Sequence, residues 1–325
     1  MKKHIILVLL TALMVGPSWA QNKEKSEADK FKVDDSKLIP KMKRLALAQV
    51  AVHYKLVTTA KTVAKDKGSN SIAGARVSAY LEFTDAEPTQ QDYQEITDHF
   101  YRYFQKRLKS GGIDTVGWGA ITAHEFYEKV SDDEESGEKS EKGGNTWMTA
   151  VANNGKMLHN GLTGFAGAKG KRIVTFTKDL DAVAGFFELT VDFADVMVNL
   201  DLKVAVNENW LYTTTTTSKK YTWAVNPEMT VNVPDGAAPM LQGPKGWPEM
   251  IFQWNDIQTG ARYDAAMSED PSKARGGLAK QFAFRKEITP VLLTTTREKY
   301  KAAAKLACEK YADYFVEKCT KLRDK

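Results

Sequence analysis

The sequence predicts an α+β protein, and three observations carry that expectation. Apolar residues recur at helical spacing over 93–108 and again over 300–322. They alternate with period two from Phe187 to Val206 and, with breaks, on to Val233. Between these patterns a glycine pair stops the first helix and a short apolar run follows it. At 325 residues the chain suffices for one large domain or two ordinary ones. Its 42% hydrophobic and 27% charged content suits a core that needs no covalent staples.

Residues 1–20 read as a signal peptide. Lys2 and Lys3 open it, Ile5–Val15 is apolar but for Thr11, and Ser18-Trp19-Ala20 offers small residues at a peptidase site ahead of Gln21. A periplasmic or secreted location, with cleavage after Ala20, follows as an expectation. No Cys follows the apolar run, so a lipoprotein route is not indicated. Without Lys2 and Lys3, 44 bases face 41 acids. That near balance points away from nucleic acid as a partner. Beyond the leader no apolar stretch reaches the ~20 residues of a spanning helix. A β-barrel contribution stays open, because its signal is only weak alternation.

The elements are then expected in this order. Residues 21–40 are polar and charged, a flexible N-terminus. An α/β unit over 41–130 opens with a half-buried strand, in which Val50, Val52, Tyr54 and Leu56 alternate with their neighbours. A loop over 61–74 and a strand over Val77–Phe83 follow. Thr89 and Asp92 resemble a capping box for a helix that carries Tyr93, Ile96, Phe100, Phe104 and Leu108 and stops at Gly111-Gly112. Ile113–Val116 is a short strand, and Thr122 with Glu125 opens a helix to about Val130. Residues 131–145 form a charged loop or linker.

The region 146–290 is expected to be rich in β-structure. A helix is placed over Thr146–Leu158 and a strand over Ile173–Phe176. In Phe187–Val206 the parity of the apolar residues flips at Ala194-Asp195, which calls for a bulge or turn. Leu211–Thr217, Tyr221–Val225 and Met229–Val233 continue the strands, with five consecutive threonines at 213–217. Prolines break up 234–248, residues 264–277 read as loop, and Leu278–Ile288 as a last strand. Residues 291–325 hold a long helix capped by Thr295 and Glu298, with Tyr300, Ala304, Ala307, Tyr311, Phe315 and Leu322 on one stripe. Cys308 and Cys319 both lie on it. Eleven residues separate them by about 16 Å along a helix, beyond the ~7 Å limit for a disulfide, so on a continuous helix they are free or pair with another chain.

Few residues suggest chemistry. Gly161, Gly164, Gly167 and Gly170 recur every third residue, but a phosphate loop needs Ser or Thr where Arg172 stands, an earlier glycine that is missing, and a helix where a strand is expected. His53, His99, His124 and His159 show no metal-ligand spacing and read as structural or solvent-exposed. No metal or cofactor is expected, and no catalytic residue can be named. Asp192, Asp195 and Asp201 read as solvent-side strand residues, although carboxylate pairs can assemble in space. Trp210, Trp223, Trp247 and Trp254 cluster in the second half and are the candidate binding residues: exposed, they can stack on sugars or anchor a partner; buried, they are ordinary core.

The order of elements over 41–130 (strand over Leu45–Leu56, strand over Val77–Phe83, amphipathic helix, Gly111-Gly112, strand over Ile113–Val116, capped helix) resembles the periplasmic α/β domain of the curli secretion channel subunit and of TolB N-terminal domains. The resemblance covers about 85 residues and lies in the pattern. The lipoprotein cysteine of the curli subunit is missing here. The resemblance implies that Phe187–Val206 could belong to an amphipathic hairpin of a shared oligomeric barrel, since ~9–11 residues cross a bilayer as a strand. Glu188, Asp192, Asp195, Asn199, Asp201 and Lys203 suit a soluble sheet with one wet face equally well, and that is the reading adopted. The expected function is an exported, non-catalytic cell-envelope protein with a binding or assembly role. A protein or glycan of the envelope is its partner, with a membrane surface or a second copy of the chain as further candidates. The alternatives are a secreted hydrolase with spatially assembled carboxylates, or a carbohydrate- or lipid-binding module.

Overall fold

The computed structural model describes residues 26–33, 37–65, 72–129, 139–158, 168–209, 212–234, 239–244, 249–253, 255–274 and 285–324. In chain order these form β1 (Phe31–Val33), β2 (Arg44–Lys65), β3 (Ile72–Phe83), α1 (Gln90–Ser110), β4 (Asp114–Thr115), α2 (Trp118–Thr122), α3 (Glu125–Lys129), β5 (Lys139–Lys142), β6 (Asn145–Val151) and α4 (Ala168–Asp179). Then come β7 (Val183–Asp192), β8 (Asp195–Asn209), β9 (Tyr212–Asn226), β10 (Glu228–Asn232), β11 (Met240–Gln242), β12 (Glu249–Gln253), β13 (Ile257–Arg262), β14 (Ala266–Glu269), β15 (Arg285–Glu287), β16 (Val291–Thr295) and α5 (Arg297–Arg323). The chain is an α+β protein with a strand-rich second half and a long C-terminal helix.

Fourteen strands join in one mixed sheet, with the path β1-β12-β11-β7-β2-β3-β16-β14, while β8 and β9 form a separate pair. β2 is the spine. At about 3.3 Å per residue its 22 residues span roughly 70 Å. Its first half pairs in parallel with β7, and its second half runs antiparallel to β3 from Val57–Tyr80 to Lys65–Ile72. Strands from both halves of the chain therefore lie side by side in the same sheet.

Residues 45–54 of β2 are buried on both faces. Leu45, Leu47, Val50, Val52 and Tyr54 join the larger core, in which α1 and α5 supply Phe100, Phe104, Tyr311 and Phe315. Ala46 and Ala48 point to a smaller core with Phe126, Ile173, Phe176 and Phe186. A register shift between Leu47 and Gln49 keeps each face in step with β7. Phe31 of β1 is fully buried against Tyr311 and Phe315, so the N-terminal segment is packed here as well.

The α1 boundaries follow their local signals. The Thr89 hydroxyl accepts from the Asp92 amide, and the Asp92 carboxylate accepts from the Thr89 amide at 2.7 Å. Past the C-terminus, Gly112 takes φ +76°, a left-handed conformation that glycine adopts without strain. One stripe of α1 also does the work of a strand. Gln90 and Gln94 donate to the Thr149 and Val151 carbonyls, and Asp98 accepts from the Asn153 amide at 2.6 Å. Four helical residues rise about 6 Å and two strand residues about 6.6 Å, so every fourth side chain meets every second residue of β6 and of the turn that follows it. This covers the edge of β6 beyond Met148, where its pairing with β5 ends.

Partial burial pushes the Asp92 carboxyl up, but hydrogen bonds from Lys301 and Thr89 outweigh it, and its pKa is lowered. A depressed carboxylate stabilises the fold above its ordinary pKa, and that contribution is lost as pH falls through the lowered value. Asp92→Asn is therefore expected to cost about 1 kcal/mol near neutrality and to flatten the acid limb of a stability-against-pH curve from urea unfolding. An acid limb identical to wild type would remove Asp92 as its source.

Several local expectations are corrected. Residues 61–74 are not simply loop, because β2 runs to Lys65 and β3 starts at Ile72. Thr146–Leu158 is not helical: Asn145–Val151 is a strand held between β2 and β5. Ile173–Phe176 lies inside α4, where residues three apart bury the same face against Phe126; four apolar residues alone fit either state. Strands also occur at β1, inside the segment expected to be flexible, at β5, β11 and β14, where loop or broken structure was expected, and at β16, inside the region assigned to the C-terminal helix. The cap before α3 is His124, whose Nδ1 accepts from the Phe126 amide at 3.0 Å, while Thr122 bonds back to Trp118 inside α2. α5 is capped by Thr296, since the Thr295 hydroxyl is bound to the Asp264 carbonyl. Of Leu278–Ile288, residues 278–284 lie outside the described residues, as do Gly161, Gly164 and Gly167. Cys308 and Cys319 are free and buried on the continuous α5, as expected.

Candidate functional site

Two features stand out, a buried polar row on the central strands and the hairpin that leaves the sheet after β7. The row arises from parity. Phe187, Leu189, Val191 and Phe193 face the large core, so Glu188, Thr190 and Asp192 share the opposite face of β7. His53 of β2 lies beside them, with Thr149 of β6 beyond. His53 Nδ1 is 2.8 Å from Thr149 Oγ1, and its Nε2 is 3.0 Å from Glu188 Oε1. Trp147 packs edge-on to the imidazole. Further along the same strands, Lys55 and the Thr58 hydroxyl both donate to Asp192 Oδ2, at 2.6 and 2.8 Å.

Asp192 is therefore not the solvent-side residue expected; it is buried and paired. Glu188 is buried too, and its Oε2 has no hydrogen-bond partner among the described residues. Thr149–His53–Glu188 has the connectivity of a hydrolase triad, hydroxyl to imidazole to carboxylate. Yet Thr149 is mid-strand and only 2% exposed, so its hydroxyl meets no substrate. The row fastens β6, β2 and β7 across their backs.

The remaining histidines are also held. His99 meets Glu309 at 2.6 Å and links α1 to α5, and His124 bonds Asp179 besides capping α3. His159 lies outside the described residues. No group of three or more His, Cys, Asp or Glu side chains is placed to hold a metal ion among the described residues. None of the described helices is long and apolar enough to cross a membrane, which leaves strands unaddressed.

The hairpin begins at the bend over Phe193-Ala194, one residue before the Ala194-Asp195 step at which the parity flips. β8 and β9 pair without a break over fifteen residue pairs, from Asp195–Asn226 to Asn209–Tyr212, so the arm is about 50 Å long. Cross-strand partners share a face. Val196–Val225, Val198–Trp223 and Leu200–Tyr221 line one side, and Asn199–Thr222 and Asp201–Lys220 the other. The root of the apolar side packs on Ala60, Ala75, Val77 and Ile288 of the β2–β3 hairpin and its neighbour. Among the described residues β8 and β9 pair only with each other, so the outer edge of each strand carries unmatched backbone groups.

At the root, burial and then the charges of Asp256, Asp192 and Glu228 raise the Asp195 carboxyl above its ordinary value. Of the four candidate tryptophans, Trp223 is on the arm and 40% exposed. Trp210, Trp247 and Trp254 lie outside the described residues. The pairing of His53, Thr149 and Glu188 was not anticipated. The only hint in the sequence is that Glu188, Thr190 and Asp192 alternate inside a strand whose other residues are apolar.

No family model matches the chain. No curated protein and no solved structure matches it either.

Proposed function

We propose that this chain is an exported cell-envelope protein that works without catalysis, through binding and assembly, with the β8–β9 arm as its working part. The arm carries the reading. An isolated two-stranded ribbon is marginal in water, and a long ribbon with two open edges is a template for pairing with another chain. The charges of the two strands differ in sign. β8 holds Asp195, Asp201 and Glu208 against Lys203, while β9 holds Lys219 and Lys220 and no acid. One edge therefore complements the other, which favours head-to-tail contact between copies, the arrangement that closes into rings. The leader-like residues 1–20 support export.

Sedimentation velocity tests the reading. The protein is expected to populate a discrete oligomer. Replacing Leu200–Tyr221 with an Asn-Gly turn, which joins Asn199 to Thr222 as a tight hairpin, is expected to give a folded monomer. A wild-type chain that stays monomeric at high concentration sinks assembly between copies. A shortened chain that still assembles removes the arm as its means.

A further inference from the structure

We propose that the two stacked hairpins form a basic collar that docks on an anionic membrane surface. The β8–β9 arm lies against the outer part of the β2–β3 hairpin through the apolar seam of Ala60, Ala75, Val77, Val196 and Val198. Residues 57–65 and 72–80 of one hairpin and 195–203 and 218–226 of the other hold six bases against two acids. That surplus of four exceeds the surplus of three in the whole chain beyond Lys2 and Lys3. With Glu208, further out on β8, the two hairpins hold a surplus of three, so the rest of the molecule is close to neutral and the net positive charge sits on this protrusion.

The geometry places those bases outward. Lys61, Lys65, Lys203, Lys219 and Lys220 are all exposed. Lys65 is five residues beyond Ala60 and Lys203 five beyond Val198, so each stands about 16 Å along its strand from the seam. Lys286, on the strand beside β3, lies 4.9 Å from the Tyr221 ring and adds another exposed charge where the hairpins meet. Arg76 is matched by Glu287 at 2.7 Å. Asp201 lies 3.8 Å from Lys203 and opposite Lys220, so one carboxylate serves two ammonium groups. Trp223 stands half-exposed on the face of the arm that it shares with Lys219, and an indole favours the headgroup zone of a bilayer.

An anionic lipid surface answers this pattern. Lysines spread over a protrusion suit a plane of mobile phosphates, where each contributes independently and salt weakens all of them. The inference rests on the arm being an interaction element, as proposed above, but not on assembly between copies.

Co-sedimentation of the purified protein with vesicles of phosphatidylcholine containing about a third phosphatidylglycerol tests it. Binding is expected at low salt, with loss in 0.5 M NaCl and little binding to pure phosphatidylcholine. Replacing Lys203, Lys219 and Lys220 with glutamine is expected to weaken binding about a hundred-fold. The same three changes to arginine should preserve it, as should Lys106→Gln, Lys109→Gln and Lys129→Gln on the body of the protein. Equal binding to neutral vesicles, an unaffected glutamine variant, or binding to an acidic polysaccharide with none to vesicles each overturns the proposal. The oligomeric state of each variant, measured in parallel without lipid, shows separately whether assembly holds.

Discussion

Phe315→Ala is expected to lower the stability of the protein by about 3–5 kcal/mol, the usual range for truncating a buried aromatic. The ring is where four segments meet. It packs edge-on against Phe31 of the N-terminal strand, Phe104 of α1 and Phe187 of β7, at centroid distances of 6.0, 5.3 and 5.1 Å. Its loss opens a cavity among partners fixed by three separate elements, so the site has little scope to collapse. Urea unfolding should show the midpoint fall at unchanged slope. Phe315→Leu, which keeps most of the volume, should recover a large part of the loss. A cost below about 1 kcal/mol for the alanine change would mean that the four segments do not share one core.

Asp192→Ala should cost nearly as much for an electrostatic reason. Lys55 and Asp192 are mostly buried, and Asp192 takes hydrogen bonds from both Lys55 and Thr58. Removing the carboxylate strands a mostly buried ammonium group that pairs with no other carboxylate among the described residues. Breaking a buried pair in this way costs about 3–5 kcal/mol, whereas replacing both members with apolar residues of similar volume is often close to neutral. Lys55→Met combined with Asp192→Leu should therefore be markedly more stable than Asp192→Ala alone. If the double variant is as unstable as the single one, the pair is not what sets the energy of this site.

The parts of the fold legible in the sequence are those whose type is decided within one segment. α1 shows a stripe, a capping box and a glycine stop. α5 shows a stripe sustained over about six turns. The junction of β7 and β8 shows itself because the parity of the apolar residues changes where the chain bends at Phe193-Ala194. Elements whose state depends on a distant neighbour were not legible. Asn145–Val151 becomes a strand because β2 offers it an edge, and Ile173 and Phe176 sit on a helix because Phe126 is there to cover them. The outer part of β2 hid among threonines, alanines and lysines, which carry little apolar signal. The polar row was out of reach for the same reason. His53 meets Thr149 and Glu188 across 96 and 135 residues of sequence, and no spacing rule records such a meeting. For the arm, the alternation was visible but its detachment from the main sheet was not, since pairing partners are a property of the whole fold.

The path of the sheet bears on when the molecule can form at all. Phe31 finds its partner at Gln253, and the rings that enclose it, Tyr311 and Phe315, are on the final helix. Contacts this remote are slow to form, because a long loop must close before any of them is gained. A nascent chain thus cannot complete this core before α5 is made. Only when that last helix joins does the N-terminal strand lock into place.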